Sequence, residues 1–89
     1  MKVLTVEIKN EAGLHARPSS KFVEVTSKYD SEITVHTDNE AVNGKSIMGL
    51  MLLGAEKGRR LKLVADGVDE HQLLEALRQL VEEEKFNEE

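Results

Sequence analysis

Six consecutive residues, Gly13-Leu14-His15-Ala16-Arg17-Pro18, bring a nucleophile, a permanent positive charge and a helix start together. Pro18 is the only proline of the 89 residues, and proline is best tolerated in the first turn of a helix, where its missing N–H loses no bond. A helix is therefore expected to open here, with Ala16 near its N-cap, His15 just outside it and Arg17 beside its mouth. Gly13 permits the tight backbone path that delivers a loop onto a helix end. A neutral imidazole carries a nucleophilic lone pair able to attack phosphorus. Once a phosphoryl group is accepted, first-turn N–H groups and the fork of Arg17 suit its oxygens. The chemistry this spacing suggests is phosphoryl acceptance on His15, with Arg17 compensating the charge.

Little else in the chain offers catalytic machinery. There is no cysteine, which excludes disulfides, thiolate catalysis and thiolate metal sites together. Of the other two histidines, His36 falls on the outward face of a strand and His71 on the first turn of the last helix. Both read as solvated surface, so a metal site lacks ligands at useful spacing. No phosphate-binding loop or magnesium-binding carboxylate pair is recognisable. The expectation is a carrier rather than an enzyme, with no cofactor and no metal.

The formal net charge is −5, which argues against a general nucleic-acid binder. Its distribution is uneven: Glu82, Glu83, Glu84, Glu88 and Glu89 crowd the end, while Arg17, Lys21, Lys28, Lys45 and Lys57 flank the histidine stretch and the glycine-rich middle. A basic patch on an acidic protein suggests an anionic ligand or an acidic partner at one face. The start of the chain alternates and carries charge, as a strand does and a signal peptide does not. The longest apolar run, residues 47–55, is too short to span a bilayer. One cytosolic domain over residues 1–89, a monomer without membrane contact, is expected.

The elements that must position His15 follow from periodicity. A strand over residues 3–8 places Leu4, Val6 and Ile8 on one face. The helix over 16–28 buries Phe22, Val25 and Tyr29 with Val23 alongside, leaving Lys21, Glu24 and Lys28 to water. A hairpin joins strands at 32–37 and 41–43, with Ile33 and Val35 inward. The run 47–53 is apolar all round; Ser46 as N-cap and Gly54 at the end favour a short helix, against the cost of Gly49, about 1 kcal/mol relative to alanine. A strand over 60–66 directs Leu61, Leu63 and Ala65 inward. In the last helix Asp69 caps, Gln72 completes a variant capping box, and Leu73, Leu74, Leu77, Leu80 and Val81 recur at helical spacing. From Glu82 onward the pattern dissolves into charge and the tail is expected to fray. The order β-α-β-β-α-β-α suits an α+β, two-layer plan: one antiparallel sheet covered on one face.

Two further features lie on the helix at 47–53. Ser46 caps it, and beside Lys45 it could also carry a regulatory phosphate. If Leu50 and Leu53 point inward, Ile47, Met48 and Met51 turn toward solvent, and exposed methionines suit a surface that accepts several partners.

The stretch Gly13-Leu14-His15-Ala16-Arg17-Pro18, followed by Val42-Asn43-Gly44-Lys45-Ser46-Ile47-Met48-Gly49-Leu50-Met51-Leu52-Leu53-Gly54, resembles the HPr family, the histidine-containing phosphocarriers of the bacterial phosphotransferase system. The resemblance covers essentially the whole chain. It implies an open-faced sandwich with strand order 1-4-2-3 and three helices on one side. It implies that His15 accepts a phosphoryl group at Nδ1 from phosphorylated enzyme I and passes it to IIA domains of sugar transporters, with Arg17 neutralising the phosphate. Ser46 matches the serine phosphorylated by HPr kinase/phosphorylase, which links the carrier to a carbon-regulation transcription factor. Ile47, Met48 and Met51, with Lys45, Ser20 and Lys21, match the docking surface. Two positions depart from the family pattern. Ala12 stands where members often carry a small polar residue, and Ser19-Ser20 replaces a small apolar pair. A regulatory module switched at Ser46, and a small acylphosphatase-like hydrolase, are the competing readings.

Overall fold

The structure is a computed structural model that describes residues 1–88; Glu89, read above as part of the acidic tail, lies outside the described residues. Four strands, β1 (Lys2–Glu7), β2 (Glu32–His36), β3 (Ala41–Asn43) and β4 (Arg60–Asp66), form one antiparallel sheet in the order β1-β4-β2-β3. Because strand side chains alternate with period two, register decides what is buried. Leu4 lies opposite Leu63, Val6 opposite Leu61, Val35 opposite Leu63 and Ile33 opposite Ala65. The inward residues Val6, Ile33, Val35, Leu61, Leu63 and Ala65 are buried. The alternate row Thr5, Lys62 and His36 lies on the other, open face.

Three helices cover the apolar face: α1 (Ala16–Thr26), α2 (Ile47–Leu53) and α3 (Glu70–Arg78). In α1 the buried residues are Pro18, Ser19, Phe22 and Thr26. Val23, Val25 and Tyr29 pack against the core only partly buried. The inward stripe is thus rotated toward Thr26, whose hydroxyl donates to the Gly44 carbonyl at 3.0 Å. α1 ends at Thr26 and not at Lys28, and its N-cap is His15 itself rather than Ala16. Lys21 does not simply face water: its ammonium donates to the Phe86 carbonyl at 2.6 Å.

α2 forms as its caps predict. The Ser46 hydroxyl accepts from the Gly49 N–H at 3.0 Å, and Gly54 closes the helix at φ 59. Gly49 has a packing reason to be there, since a Cβ would meet Ser46 Oγ and Val42 Cβ at 3.3 Å. Leu50 is fully buried and Leu53 half-buried.

At α3 the expected capping box does not form. Asp69 is the N-cap residue, but its side chain makes no capping bond. Its carboxylate accepts instead from the backbone N–H groups of Asp30 and Ser31, each at 2.9 Å, and from the Ser31 hydroxyl. Asp69 therefore ties the start of α3 to the turn between α1 and β2. Those donors, the Ser31 hydroxyl first and the Asp30 N–H next, hold the Asp69 carboxyl below its ordinary range.

The tail does not fray. Leu80 and Val81 remain buried within a π-helical turn, Gln79–Glu83. A left-handed turn, Lys85–Asn87, follows, with φ of 50, 58 and 57 in succession. Each left-handed residue with a side chain costs about 1–2 kcal/mol, so strong contacts must hold them. Phe86 is fully buried, worth about 1.5–3 kcal/mol. The Asn87 N–H donates to the Glu84 carbonyl at 2.7 Å, and the Glu82 carboxylate accepts the N–H of Glu7 on edge strand β1 at 2.8 Å. Val81 and Phe86 are five residues apart, a spacing outside the α-helical repeat, so the tail reads as patternless charge.

A depressed carboxyl contributes stability that is complete above its ordinary range and is lost as pH falls through the lowered value. Asp69→Asn should therefore be less stable than wild type at neutral pH, and the gap should close as pH falls below about 4. Urea midpoints measured across that range check this; a gap that stays constant would contradict it.

Candidate functional site

The loop that delivers His15 is built by close approach. Asn10 grips Gly13 twice: its carbonyl accepts the Gly13 N–H at 3.3 Å and its side-chain amide donates to the Gly13 carbonyl at 3.0 Å. Gly13 adopts φ +73, and a Cβ there would run into the Ala55 carbonyl. One residue on, the Leu14 N–H donates to that same Ala55 carbonyl at 2.8 Å, with the Leu14 side chain buried. His15 then stands exposed at the head of α1, its backbone extended at φ −107, ψ −157.

As N-cap, His15 contributes its carbonyl to the helix, accepting the Ser19 N–H at 2.9 Å. Its imidazole makes no capping bond, and no acidic residue lies in the first turn. Pro18 has no N–H to offer. Among the described residues the N–H groups of Ala16 and Arg17 thus have no acceptor at an electropositive helix end, the arrangement that favours an anion. Among the described residues no ion pair engages Arg17. Arg17 lines a depression of about 530 Å³ shared with Lys9, Asn10, Glu11, Lys57, Lys85 and Glu88. Lys57 pairs with Glu11 at 2.6 Å, which holds the Glu11 carboxyl below its ordinary range. Lys9 reaches only Glu7, at 3.9 Å.

α2 runs antiparallel to α1 and links the site to Ser46. Its start lies at the end of α1, where Thr26 holds Gly44 and the Lys45 ammonium donates to the Tyr29 carbonyl at 2.8 Å. Its end delivers Ala55 to Leu14. Ser46 is thus separated from His15 by the length of α1, about 16 Å for 11 residues at 1.5 Å each. Between them, Ile47, Met48 and Met51 are exposed by 41%, 69% and 42%. Leu52, absent from the sequence-based set, is the most exposed of the helix at 76%. It lies toward the His15 end, and an all-round apolar run gave periodicity no way to single it out. Of the expected basic residues, Lys57 lines the same depression as Arg17, joined there by Lys9 and Lys85, whereas Lys21 and Lys45 donate to the backbone carbonyls of Phe86 and Tyr29. Ser20 is exposed on α1. Ser19, one of the departing pair, is buried with its hydroxyl unpaired.

His36 and His71 stay apart from the site. The His71 ring meets the Lys2 ammonium at 3.3 Å, and among the described residues no three His, Asp or Glu side chains gather as a metal cluster. No helix of the described residues is long and apolar enough to cross a membrane.

Fold and site together define a small open-faced α+β sandwich that presents one histidine at a bare helix N-terminus beside an uncommitted arginine. A family model described as the PTS HPr component phosphorylation site matches residues 3–83. The chain belongs to the HPr family of phosphocarriers. It is 48% identical over 77 residues to the phosphocarrier protein HPr of Neisseria meningitidis serogroup B, covering 86% of each chain. It is 45% identical over 89 residues to that of Treponema pallidum, covering 100% of both. The crystal structure of HPr from Thermoanaerobacter tengcongensis superposes with a TM-score of 0.93 at 53% identity, covering 100% of this chain and 99% of that one. These relatives support the carrier class over the hydrolase reading.

Gly13→Ala should cost about 2 kcal/mol or more, since it combines a left-handed conformation with a backbone collision. Gly54→Ala, equally left-handed but with nothing within 4 Å of its Cβ, should cost only about 1 kcal/mol. Denaturant titrations of the two variants separate contact from conformation; equal losses would remove the role given to Ala55.

Proposed function

We propose that this chain, a single HPr domain over residues 1–89, carries a phosphoryl group on Nδ1 of His15 between phosphorylated enzyme I and the IIA domains of sugar permeases. The observation that supports this most directly is the bare head of α1. His15 caps with its carbonyl and leaves its ring uncommitted, while the Ala16 and Arg17 N–H groups and the Arg17 guanidinium await an anion. In the transfer, the neutral ring attacks phosphorus, an N–P bond forms, and the donor's bond to phosphorus breaks. The ring proton stays on Nε2. Reversal onto an acceptor nucleophile regenerates neutral His15, so the carrier needs no base of its own. Arg17, long enough to swing from the depression it lines, stabilises the phosphoryl oxygens.

Docking falls to the exposed apolar face of α2, with Ile47, Met48 and Met51 joined by Leu52, and to Ser20 beside it. Lys21 and Lys45 belong to the same docking surface, their ammonium groups also held by the Phe86 and Tyr29 carbonyls. Ser46 is the regulatory position: a phosphate on its hydroxyl would replace the Gly49 capping bond at the far end of the same apolar strip. It places negative charge on the docking face while leaving His15 untouched. HPr kinase/phosphorylase and a carbon-regulation transcription factor are the partners that reading implies, and the cytoplasm its location.

Incubation with enzyme I and phosphoenolpyruvate should add one acid-labile phosphoryl group, detected by intact mass, and His15→Ala should abolish it. An unchanged mass in the wild-type chain would sink the proposal. Arg17→Ala should slow acceptance by about a hundredfold to a thousandfold, the loss expected when one charge-stabilising donor is removed. Leu52→Glu should instead raise the KM for enzyme I about tenfold with turnover little changed, as the loss of one apolar contact of about 1.4 kcal/mol would.

A further inference from the structure

The loop that carries His15 is gripped not only by the helix layer but by the end of the chain. Asn10 is buried, and its side-chain amide makes two bonds at once: to the Gly13 carbonyl at 3.0 Å and to the Glu88 carboxylate at 2.9 Å. Both partners are acceptors, so the amide orientation is unambiguous. Glu88 reaches Asn10 because the Lys85–Asn87 turn reverses the chain with three successive left-handed residues. That turn is itself pinned by the burial of Phe86, by the Lys21 ammonium on the Phe86 carbonyl, and by the Glu88 N–H on the Lys85 carbonyl at 3.2 Å. Left-handed side-chain-bearing residues persist where the surroundings over-determine them. Here they deliver one carboxylate to one amide, two bonds from the backbone that places His15.

We propose that Asn10 is a positioning residue for phosphoryl acceptance, and that Glu88 is the latch that holds it. This rests on the reading of His15 as the acceptor. The charged acceptor makes the Asn10–Glu88 bond stronger than a neutral pair. It fixes the Asn10 rotamer, the rotamer holds the Gly13 carbonyl, and Gly13 stays seated against Ala55. Loss of the latch frees Asn10 to turn toward water, and the loop 10–14 then samples positions from which the His15 ring is misaligned. Neither residue touches the phosphoryl group, and α2 is untouched. The effect should therefore appear in turnover rather than in binding of the donor.

The test uses the full chain with Asn10→Ala, Glu88→Ala and Glu88→Gln. Amide hydrogen exchange at Gly13 and Leu14 should quicken about tenfold in both alanine variants, as loss of a charge-assisted bond allows, while Leu63 in β4 holds at the wild-type rate. Turnover in phosphoryl acceptance from enzyme I should fall about tenfold with KM within about twofold, as misplacement without lost affinity does. Glu88→Gln, whose amide oxygen can accept the same bond, should recover most of both. Unchanged exchange at Gly13 and Leu14 would overturn the latch. So would a change in KM alone, or a Glu88→Gln variant as impaired as Glu88→Ala, which would assign the effect to charge beside Arg17. If the wild-type chain accepts no phosphoryl group, the carrier reading falls, and the exchange measurements still decide whether Glu88 holds the loop.

Discussion

The bond from the Leu14 N–H to the Ala55 carbonyl, 2.8 Å long, is the joint on which the rest depends. It fastens the approach to α1 against the exit from α2, and it leaves room for no side chain at Gly13. With that joint closed, His15 falls at the N-cap of a helix whose N-terminus is open to solvent, and α2 lies antiparallel beside it. His15 and the exposed apolar strip are thereby presented together, on elements held by the same carbonyl. Both partners are backbone groups, and Gly13 is the position where a side chain would collide with the acceptor.

Electrostatics plays a narrower part than the count of charges suggests. Lysines that look available in the sequence are tied to carbonyls: Lys21 to Phe86 and Lys45 to Tyr29. Lys21 ties the middle of α1 to the C-terminal turn, and Lys45 ties the start of α2 to the segment after α1. What remains positive near His15 is the helix end, with no acid in its first turn, and Arg17, with no ion-pair partner among the described residues. Lys9, Lys57 and Lys85 border the same depression, balanced by Glu11 and Glu88. The depression is therefore only partly balanced in charge and stays open to solvent beside Arg17.

Where structure and sequence expectation differ at Asp69, Phe86 and Thr26, the cause is a contact between distant segments. Asp69 has the right type and place for a side-chain cap, yet Asp30 and Ser31 offer three donors from across the molecule, and one carboxylate cannot serve both. The tail carries a single aromatic among acids. The π-helical turn breaks the repeat that would have connected Phe86 to Val81, so its burial leaves no periodic trace. Leu52 was hidden for the opposite reason: when every residue of a run is apolar, a repeat cannot show which one turns outward. The rotated stripe of α1 follows from Thr26 finding the Gly44 carbonyl, a partner no local pattern names.

By itself the sequence determined the four strands, the three helices and the place of His15 and Arg17 at a helix start, because these rest on local rules. Alternation sets the strands, and Ser46 and Gly54 cap α2. Pro18 starts α1 and brings His15 and Arg17 to its head. Only the tertiary structure decided that His15 is the cap itself, that its ring and two first-turn N–H groups stay uncommitted, and that Arg17 opens onto a depression closed by the end of the chain. Those properties depend on which donor meets which acceptor across tens of residues, Leu14 with Ala55 and Asn10 with Glu88. Such pairings leave no periodicity in the chain, since they are chosen by packing in three dimensions.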